Sequence, residues 1–460
     1  MTPWAAKELQ YADLGDARLN KRLVKIVEDL ATHPNASVTE ATSNWSNAKA
    51  TYRFWQNKQI RAMDIIEAQQ MGVVERIKNY PVVLALQDTT DLSFSHHASK
   101  TAAAGFGPIS SSEYALGLKV HSTFAVTTEG VPLGLLDQKT WARKLKQKGK
   151  TKKKRKRSLF EKESKKWFTG LTATELSIPD ETTVVTIADR EADIYDLFAL
   201  KRRANSHLLI RAQHNRQVTH PSSYLKAAIA QTEAAGEIEV VIPRAKDLSS
   251  RIATVTIRYA PLSIKPPNHS HINDQLQPIT VNAIWLREEN PPLDCSSPIC
   301  WLLLTTLPIE SFSDAARYVR WYTFRWLIER YHYTLKSGCR IEELQLETAD
   351  RIERALATYS IVAWRLLWLT YEARVNPESS CERVLETCEW QALYARIHKS
   401  QNIPKRPPSL RQAVRWIAQL GGFLARKSDK EPGVKTIWRG LRYLNALTTG
   451  WQLQLSTNLA

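Results

Sequence analysis

The sequence predicts an α/β protein in which a mixed-sheet domain, interrupted by a β-rich segment, lies between helical N- and C-terminal regions. Three observations predict this. Residues 82–86 (VVLAL) and 183–187 (TVVTI) are short apolar runs bounded by polar turns, the pattern of buried strands. Residues from about 215 to 310 alternate or run apolar between Pro and Asn clusters, which reads as further strands. Both ends of the chain carry apolar residues at helical spacing.

The elements follow in order. Over roughly the first 70 residues, Leu19, Leu23, Ile26, Val27 and Leu30 recur on one helical face, with Arg18, Lys21, Arg22 and Lys25 largely opposite. Residues 48–56 (AKATYRFWQ) add aromatics beside Lys49 and Arg53. This composition fits a small DNA-reading module and equally an ordinary amphipathic bundle with solvated charges. After Pro81 the strand 82–86 is expected to end at Gln87-Asp88-Thr89-Thr90. Residues 118–126 and 131–136 read as a hairpin across Thr128-Glu129-Gly130. The strand 183–187 runs into Asp189, and 208–210 is a short fourth strand. Within the β-rich segment, 238–242, 252–259, 279–286 and 301–305 are the expected strands. Residues 315–336, free of Pro and Gly, read as one long helix, and 351–372 as another. Beyond Pro377 the pattern stays helical, broken at 404–408 and at Gly421-Gly422. The expected division is 1–70, 71–372 and 373–460.

With 460 residues, 43% hydrophobic and 24% charged, the chain is globular in composition, which excludes a disordered or collagen-like polymer. No apolar run approaches the ~20 residues of a membrane span. The start, MTPWAAKELQYADLGD, lacks a basic segment followed by an apolar one. A cytoplasmic protein with no membrane partner is therefore expected. Five cysteines without a CxxC pair argue against a structural zinc site or a disulfide framework.

The charge is informative about partners. Lys and Arg number 64 against 46 Asp and Glu, a formal +18, which favours an acidic partner. Residues 143–157, RKLKQKGKTKKKRKR, hold 11 of these cations in 15 positions and no acid; +18 less 11 leaves +7 elsewhere. Such a run repels itself and reads as a loop. Non-specific phosphate contact, DNA tracking, and a localisation or solubility role all remain open for it.

The chemistry centres on three acids. Two strands each deliver an Asp, Asp88 and Asp189, and a helix far downstream offers Glu329. Carboxylates on rigid elements can hold hard divalent cations, and a pair of such ions can activate the attacking oxygen and stabilise the leaving oxygen of a phosphodiester. Either Asp alone reads better as a turn or capping residue. Tyr322, Arg325, Glu329 and Lys336 share a face if the helix is continuous, so a carboxylate is flanked by a phenol and two potential phosphate-gripping cations. An Arg325–Glu329 ion-pair stripe is the plainer alternative.

Asp189-Arg190-Glu191-Ala192-Asp193 spells DREAD, and Tyr322-x2-Arg325-x3-Glu329-x6-Lys336 spells YREK. Together with Asp88-Thr89-Thr90 upstream, and with Leu14-Gly15-Asp16-x-Arg18-x3-Arg22-Leu23 and Tyr52-Arg53-Phe54 near the start, they resemble the insertion-sequence-four family of bacterial DDE transposases, the family of the transposon-five transposase. Residues 301–305 (WLLLT) and 420–423 (LGGF), with Trp438 downstream, extend the resemblance over the whole chain.

The resemblance implies an RNase H-like catalytic domain with a β-rich insertion, flanked by a helical end-binding domain and a helical dimerisation domain. It implies that Asp88, Asp189 and Glu329 hold two Mg2+ ions per active site, with Mn2+ as a substitute. The expected reactions are nicking at the element ends, hairpin formation, hairpin opening and strand transfer into target DNA. It implies phosphate contacts for Tyr322, Arg325, Lys336 and Arg211. Trp301 is implied to receive a flipped base, with core packing as its plainer alternative, and Trp326 either supports that pocket or fills the core. Arg18, Arg22 and Arg53 are implied to bind the terminal repeats. The expected partners are double-stranded DNA, both element ends and target, and a second copy of the chain in a DNA-bridged synaptic complex. The basic run 143–157 departs from the family pattern, and catalysis is not expected to depend on it.

Overall fold

The structure is a computed structural model describing residues 4–42, 44–95, 100–109, 115–144, 163–242, 251–267, 276–292, 298–426 and 428–457. Of the basic run, only Arg143 and Lys144 fall within these residues. A short helix α1 (Trp4–Glu8) precedes α2 (Ala17–Thr32), where Asp16 caps the helix by accepting the Arg18 N–H at 2.8 Å. The expected apolar face of α2 is inward, with Leu23, Ile26, Val27 and Leu30 at 0–1% exposure. Burial of each such side chain contributes about 1.5–3 kcal/mol. Helices α3 (Val38–Ala41), α4 (Trp45–Gln56) and α5 (Ala62–Ile77) complete the N-terminal region. Residue 70 lies inside α5.

The sheet begins with β1 (Val82–Ser93), β2 (Gly107–Pro108), β3 (Leu116–Thr127) and β4 (Pro132–Trp141). After α6 (Lys165–Ser177) come β5 (Thr183–Ala188), α7 (Tyr195–Ala199), β6 (Ser206–Arg211) and α8 (Leu225–Ala230). Strands β7 (Gly236–Ile242), β8 (Arg251–Ile264), β9 (Ile279–Arg287) and β10 (Cys300–Thr305) follow. Among the described residues these form one ten-stranded sheet in the order β2-β3-β1-β5-β6-β10-β9-β8-β7, with β4 also on β3. β1, β5 and β6 are mutually parallel, and the pairings of β1–β3, β3–β4 and β6 through β10 to β7 are antiparallel. The β-rich segment thus continues the central sheet, because β10 pairs with β6.

Two sequence expectations are corrected. β1 does not stop at Asp88 but continues to Ser93, because β3 pairs with it from Val83 to Ser93. The anticipated helix over 315–336 is broken. α9 (Phe312–Thr323) starts at a capping box between Ser311 and Asp314 and ends in a tight turn in which Arg325 N–H bonds the Tyr322 carbonyl at 3.0 Å. α10 (Trp326–Tyr333) then runs into a π-helical turn, Thr334–Gly338, closed by Cys339 N–H on the Thr334 carbonyl at 2.8 Å. Phe324, at the break, seats its ring against Gly130 of the β3–β4 turn.

The long helix α11 (Ala349–Val375) is buried on nearly every side and joins the regions. Trp55 of α4 donates its indole N–H to Thr358 at 3.3 Å, and Trp364 donates to the Pro132 carbonyl at 3.1 Å. Residue 372 lies inside α11. Helices α12 (Thr387–His398), α13 (Leu410–Leu420) and α14 (Val434–Thr457) pack around a separate apolar cluster that includes Leu393, Ile417 and Leu444. Among the described residues Cys300, Cys339, Cys381 and Cys388 are free thiols, and no helix is long and apolar enough to cross a membrane.

Candidate active site

The parallel pairing of β1 with β5 builds the centre of the site. Their last paired residues are Leu86 and Ile187, and two positions beyond each stand Asp88 and Asp189. β5 ends there, whereas β1 continues paired with β3, so the two aspartates lie side by side where the parallel ladder opens. Asp189 caps a 3-10 turn, Arg190–Ala192, and accepts the Glu191 N–H at 3.0 Å. Asp88 accepts the Thr89 N–H at 2.8 Å. Burial pushes the Asp88 carboxyl up to about 7, against that hydrogen bond and the pull of Arg325; the nearby Asp189 and Glu329 raise it further.

Glu329 lies on α10 and forms an ion pair with Arg325, Nη2 to Oε1 at 2.7 Å. Among the described residues no three carboxylate, His or Cys side chains converge closely enough, as they stand, to hold a metal ion. The acids are neighbours, with Glu329 engaged by Arg325 of the turn before its helix.

A wall of cations and aromatics adjoins them. Arg211, the last residue of β6, holds its guanidinium 5.5 Å from the centre of the Trp301 ring. Trp301 on β10 meets Tyr322 edge-to-face at 5.4 Å. Tyr322 lies close to Arg325, Arg211 and Asp189, and burial raises its phenol so that it stays protonated. The four positions Tyr322, Arg325, Glu329 and Lys336 therefore do not share one continuous helix. They occupy α9, the tight turn, α10 and the π-helical turn. Trp326 opens α10, half-buried, 6.0 Å from the Arg325 guanidinium. Arg18, Arg22 and Arg53 lie apart from this group, on α2 and α4. Arg18 and Arg53 are exposed, Arg18 pairs with Asp16, and Arg22 reaches Asn47 at 3.4 Å.

Sequence reasoning missed a polar layer behind Asp88. His332 Nδ1 lies 3.8 Å from Asp88 Oδ2, and its Nε2 is 3.2 Å from the Ser122 hydroxyl. Burial holds His332 down at about 3, so the imidazole is neutral. Gln138 bridges Ser122, the Tyr331 hydroxyl and Ser360 at 2.9–3.2 Å. The spacing Glu329-x2-His332 puts both on one helix face and was a usable signal; Ser122, Gln138 and Ser360 carried none. Arg143, first of the basic run, is paired with Glu163, Nη2 to Oε2 at 2.5 Å.

Three family matches divide the chain. Residues 1–60 match the family described as Transposase DNA-binding, and residues 361–457 match the Transposase Tn5 dimerisation domain. Residues 135–365, half of the chain, match the Transposase DDE domain. The chain belongs to the DDE transposase family. The transposase is Tn5-like, consistent with the insertion-sequence-four family, and its central domain has the RNase H-like fold. It is a metal-dependent enzyme of DNA cleavage and strand transfer; it binds DNA and, through its dimerisation domain, a second copy of itself. Asp189 and Glu329 fall inside the DDE match, whereas Asp88 lies between the first match and that one. It is the β1–β5 pairing that brings Asp88 to Asp189.

Proposed function

We propose that the transposase performs cut-and-paste transposition of an insertion sequence. It nicks the element ends, forms and opens hairpins, and joins the freed 3′ ends to target DNA, with Asp88, Asp189 and Glu329 as the catalytic acids. The observation carrying this reading is the parallel juxtaposition of Asp88 and Asp189 beside Glu329, walled by Arg211, Trp301, Tyr322 and Arg325.

The acids suit a hard divalent cation. Their donors are carboxylate oxygens, and Asp88 is a desolvated carboxyl crowded by two others, a charge pattern that a cation relieves. The proposed cofactor is Mg2+, two ions per site, with Mn2+ as a substitute. Such ions, when bound, polarise the phosphate and make the attacking water or hydroxyl a better nucleophile.

The chain's own side chains supply the rest. Arg325 and Arg211 carry charge into a partly buried site, where each attracts a phosphate more strongly than it would in water. Lys336 adds a further cation at the edge. Tyr322, kept protonated, is a hydrogen-bond donor to a phosphate oxygen. Trp301 offers a ring face to a base driven from the stack by a tight hairpin. Arg18, Arg22 and Arg53 hold the terminal repeats. In this reading the end-binding, catalytic and dimerisation parts are 1–70, 71–372 and 373–460, and two subunits are bridged by paired ends in a synaptic complex.

The test uses the full-length protein, DNA carrying the repeats that flank its reading frame, and Mg2+. Nicks followed by hairpins are expected at those ends. Asp189→Ala is expected to abolish cleavage while end binding persists. Absence of cleavage where end binding is demonstrated refutes the proposal, and loss of binding in Asp189→Ala identifies Asp189 as a folding residue rather than a ligand.

A further inference from the structure

Beyond Ala188 and Ile210 the β5–β6 ladder stops, and the next residues are Asp189 and Arg211. Arg211 stays paired with Leu303 of β10, the strand of Trp301, but the β5–β6 ladder does not itself reach Asp189. A second device spans the gap from Asp189 to Arg211. Asp193 follows the 3-10 turn that Asp189 caps, its backbone N–H bonded to the Arg190 carbonyl at 3.2 Å. Its carboxylate is fully buried, and Arg216, its partner, is only 10% exposed. Asp193 Oδ1 accepts from Arg216 Nε at 3.0 Å and Nη2 at 2.6 Å. Asp193 Oδ2 accepts the backbone N–H groups of Gln213 at 2.8 Å and His214 at 2.9 Å. Arg216 Nη2 also reaches the Asp193 carbonyl at 2.6 Å.

The four bonds to one carboxylate tie the turn carrying Asp189 to the chain just beyond Arg211. Ala212, between them, donates its N–H to the Leu302 carbonyl at 2.7 Å and so fixes the same segment to the strand of Trp301. A buried ion pair is a poor source of net stability, because desolvating two charges offsets most of their attraction. What it supplies here is a fixed register between the turn that follows β5 and the chain that follows β6.

We propose that Asp193 and Arg216 are positioning residues that set the place of Asp189 relative to the Arg211–Trp301 wall, and through it the geometry of metal binding. This rests on the reading that Asp189 ligates the metal. The probe is Mn2+ alone, titrated into full-length protein and followed by electron paramagnetic resonance, with thermal unfolding measured alongside. Asp189→Ala is the reference and is expected to lose Mn2+ binding. Asp193→Asn keeps the shape and loses the charge; it is expected to melt cooperatively and to bind Mn2+ about tenfold or more weakly. Arg216→Lys keeps the charge without the fork and is expected to fall between Asp193→Asn and the unaltered protein.

If Asp189→Ala loses Mn2+ while a folded Asp193→Asn binds it within about twofold of the unaltered protein, the positioning role is overturned. If Asp193→Asn does not fold, Arg216→Lys decides by the same criterion, and failure of both to fold makes the pair a folding element and overturns it as well. If Asp189→Ala binds Mn2+ normally, the underlying assignment of Asp189 is what has failed.

Discussion

Gly130 connects a hairpin turn to the active-site helices, and replacing it with Ala tests that connection. The residue sits at φ +91° between β3 and β4. A Cβ there would lie 2.7, 3.0 and 3.3 Å from three ring carbons of Phe324, whose side chain is packed against the main core. Two costs follow. An alanine in the left-handed region loses roughly 1–2 kcal/mol, and forcing a methyl against a packed ring typically costs about 1–3 kcal/mol. The sum is about 2–5 kcal/mol. Gly422 is the control, since it has φ +92° and nothing within 4 Å of its would-be Cβ. Gly422→Ala should show the backbone cost alone, and the difference between the variants, about 1–3 kcal/mol, is the clash. Because Phe324 stands where α9 gives way to α10, relieving the clash shifts Arg325 and Glu329. End cleavage by Gly130→Ala should fall about 10- to 100-fold, the scale of an ångström-sized misplacement. The assays are denaturant unfolding of each variant and single-turnover cleavage at saturating end DNA. Equal destabilisation by the two substitutions, or Gly130→Ala cleaving at the unaltered rate, would refute the argument.

Three further outcomes are expected. Trp301→Ala should lower hairpin formation about 10- to 100-fold, the loss of one base–aromatic stack of about 1–3 kcal/mol, with nicking little changed; gels that resolve the two products check it. Glu353, half-buried on α11, is pushed by burial from 4.5 up to about 7. The folded chain therefore keeps a proton that the unfolded chain releases, so stability falls as pH rises from about 4.5 to about 7 and stays reduced above that. At about 1.4 kcal/mol per pH unit the full effect is roughly 3 kcal/mol, and Glu353→Gln should gain up to that at pH 8 and little at pH 4, measured by unfolding at both. Exchanging the cations of residues 145–157 for Ser should flatten the salt dependence of DNA binding by about 0.9 for each phosphate that is no longer neutralised, with cleavage at saturating DNA retained.

Much of the site was legible in the sequence because its parts are local patterns. The DREAD and YREK spacings, the apolar runs before Asp88 and Asp189, and the helical stripe of Leu23, Ile26, Val27 and Leu30 each lie within a few turns or one strand. Short-range propensity and burial dictate such patterns. The errors came where distant segments decide. β1 runs past Asp88 because β3, across a hairpin, offers it partners as far as Ser93. The 315–336 helix breaks at Phe324, where the ring lies against Gly130, nearly two hundred residues away in sequence.

The sequence by itself determined which acids, cations and aromatics the protein owns and the apolar patterns that carry them, but not where β1 ends or where α9 gives way to α10. Only the tertiary structure decided how they meet. The parallel register of β1 on β5 sets Asp88 beside Asp189, His332 and Ser122 back Asp88, and Asp193 with Arg216 joins the loop of one acid to the strand end of a cation. Strand register and buried polar pairing depend on contacts between segments a hundred or more residues apart for β1–β5 and His332–Ser122, and about twenty apart for Asp193–Arg216. No local periodicity records which partner a released strand end will find.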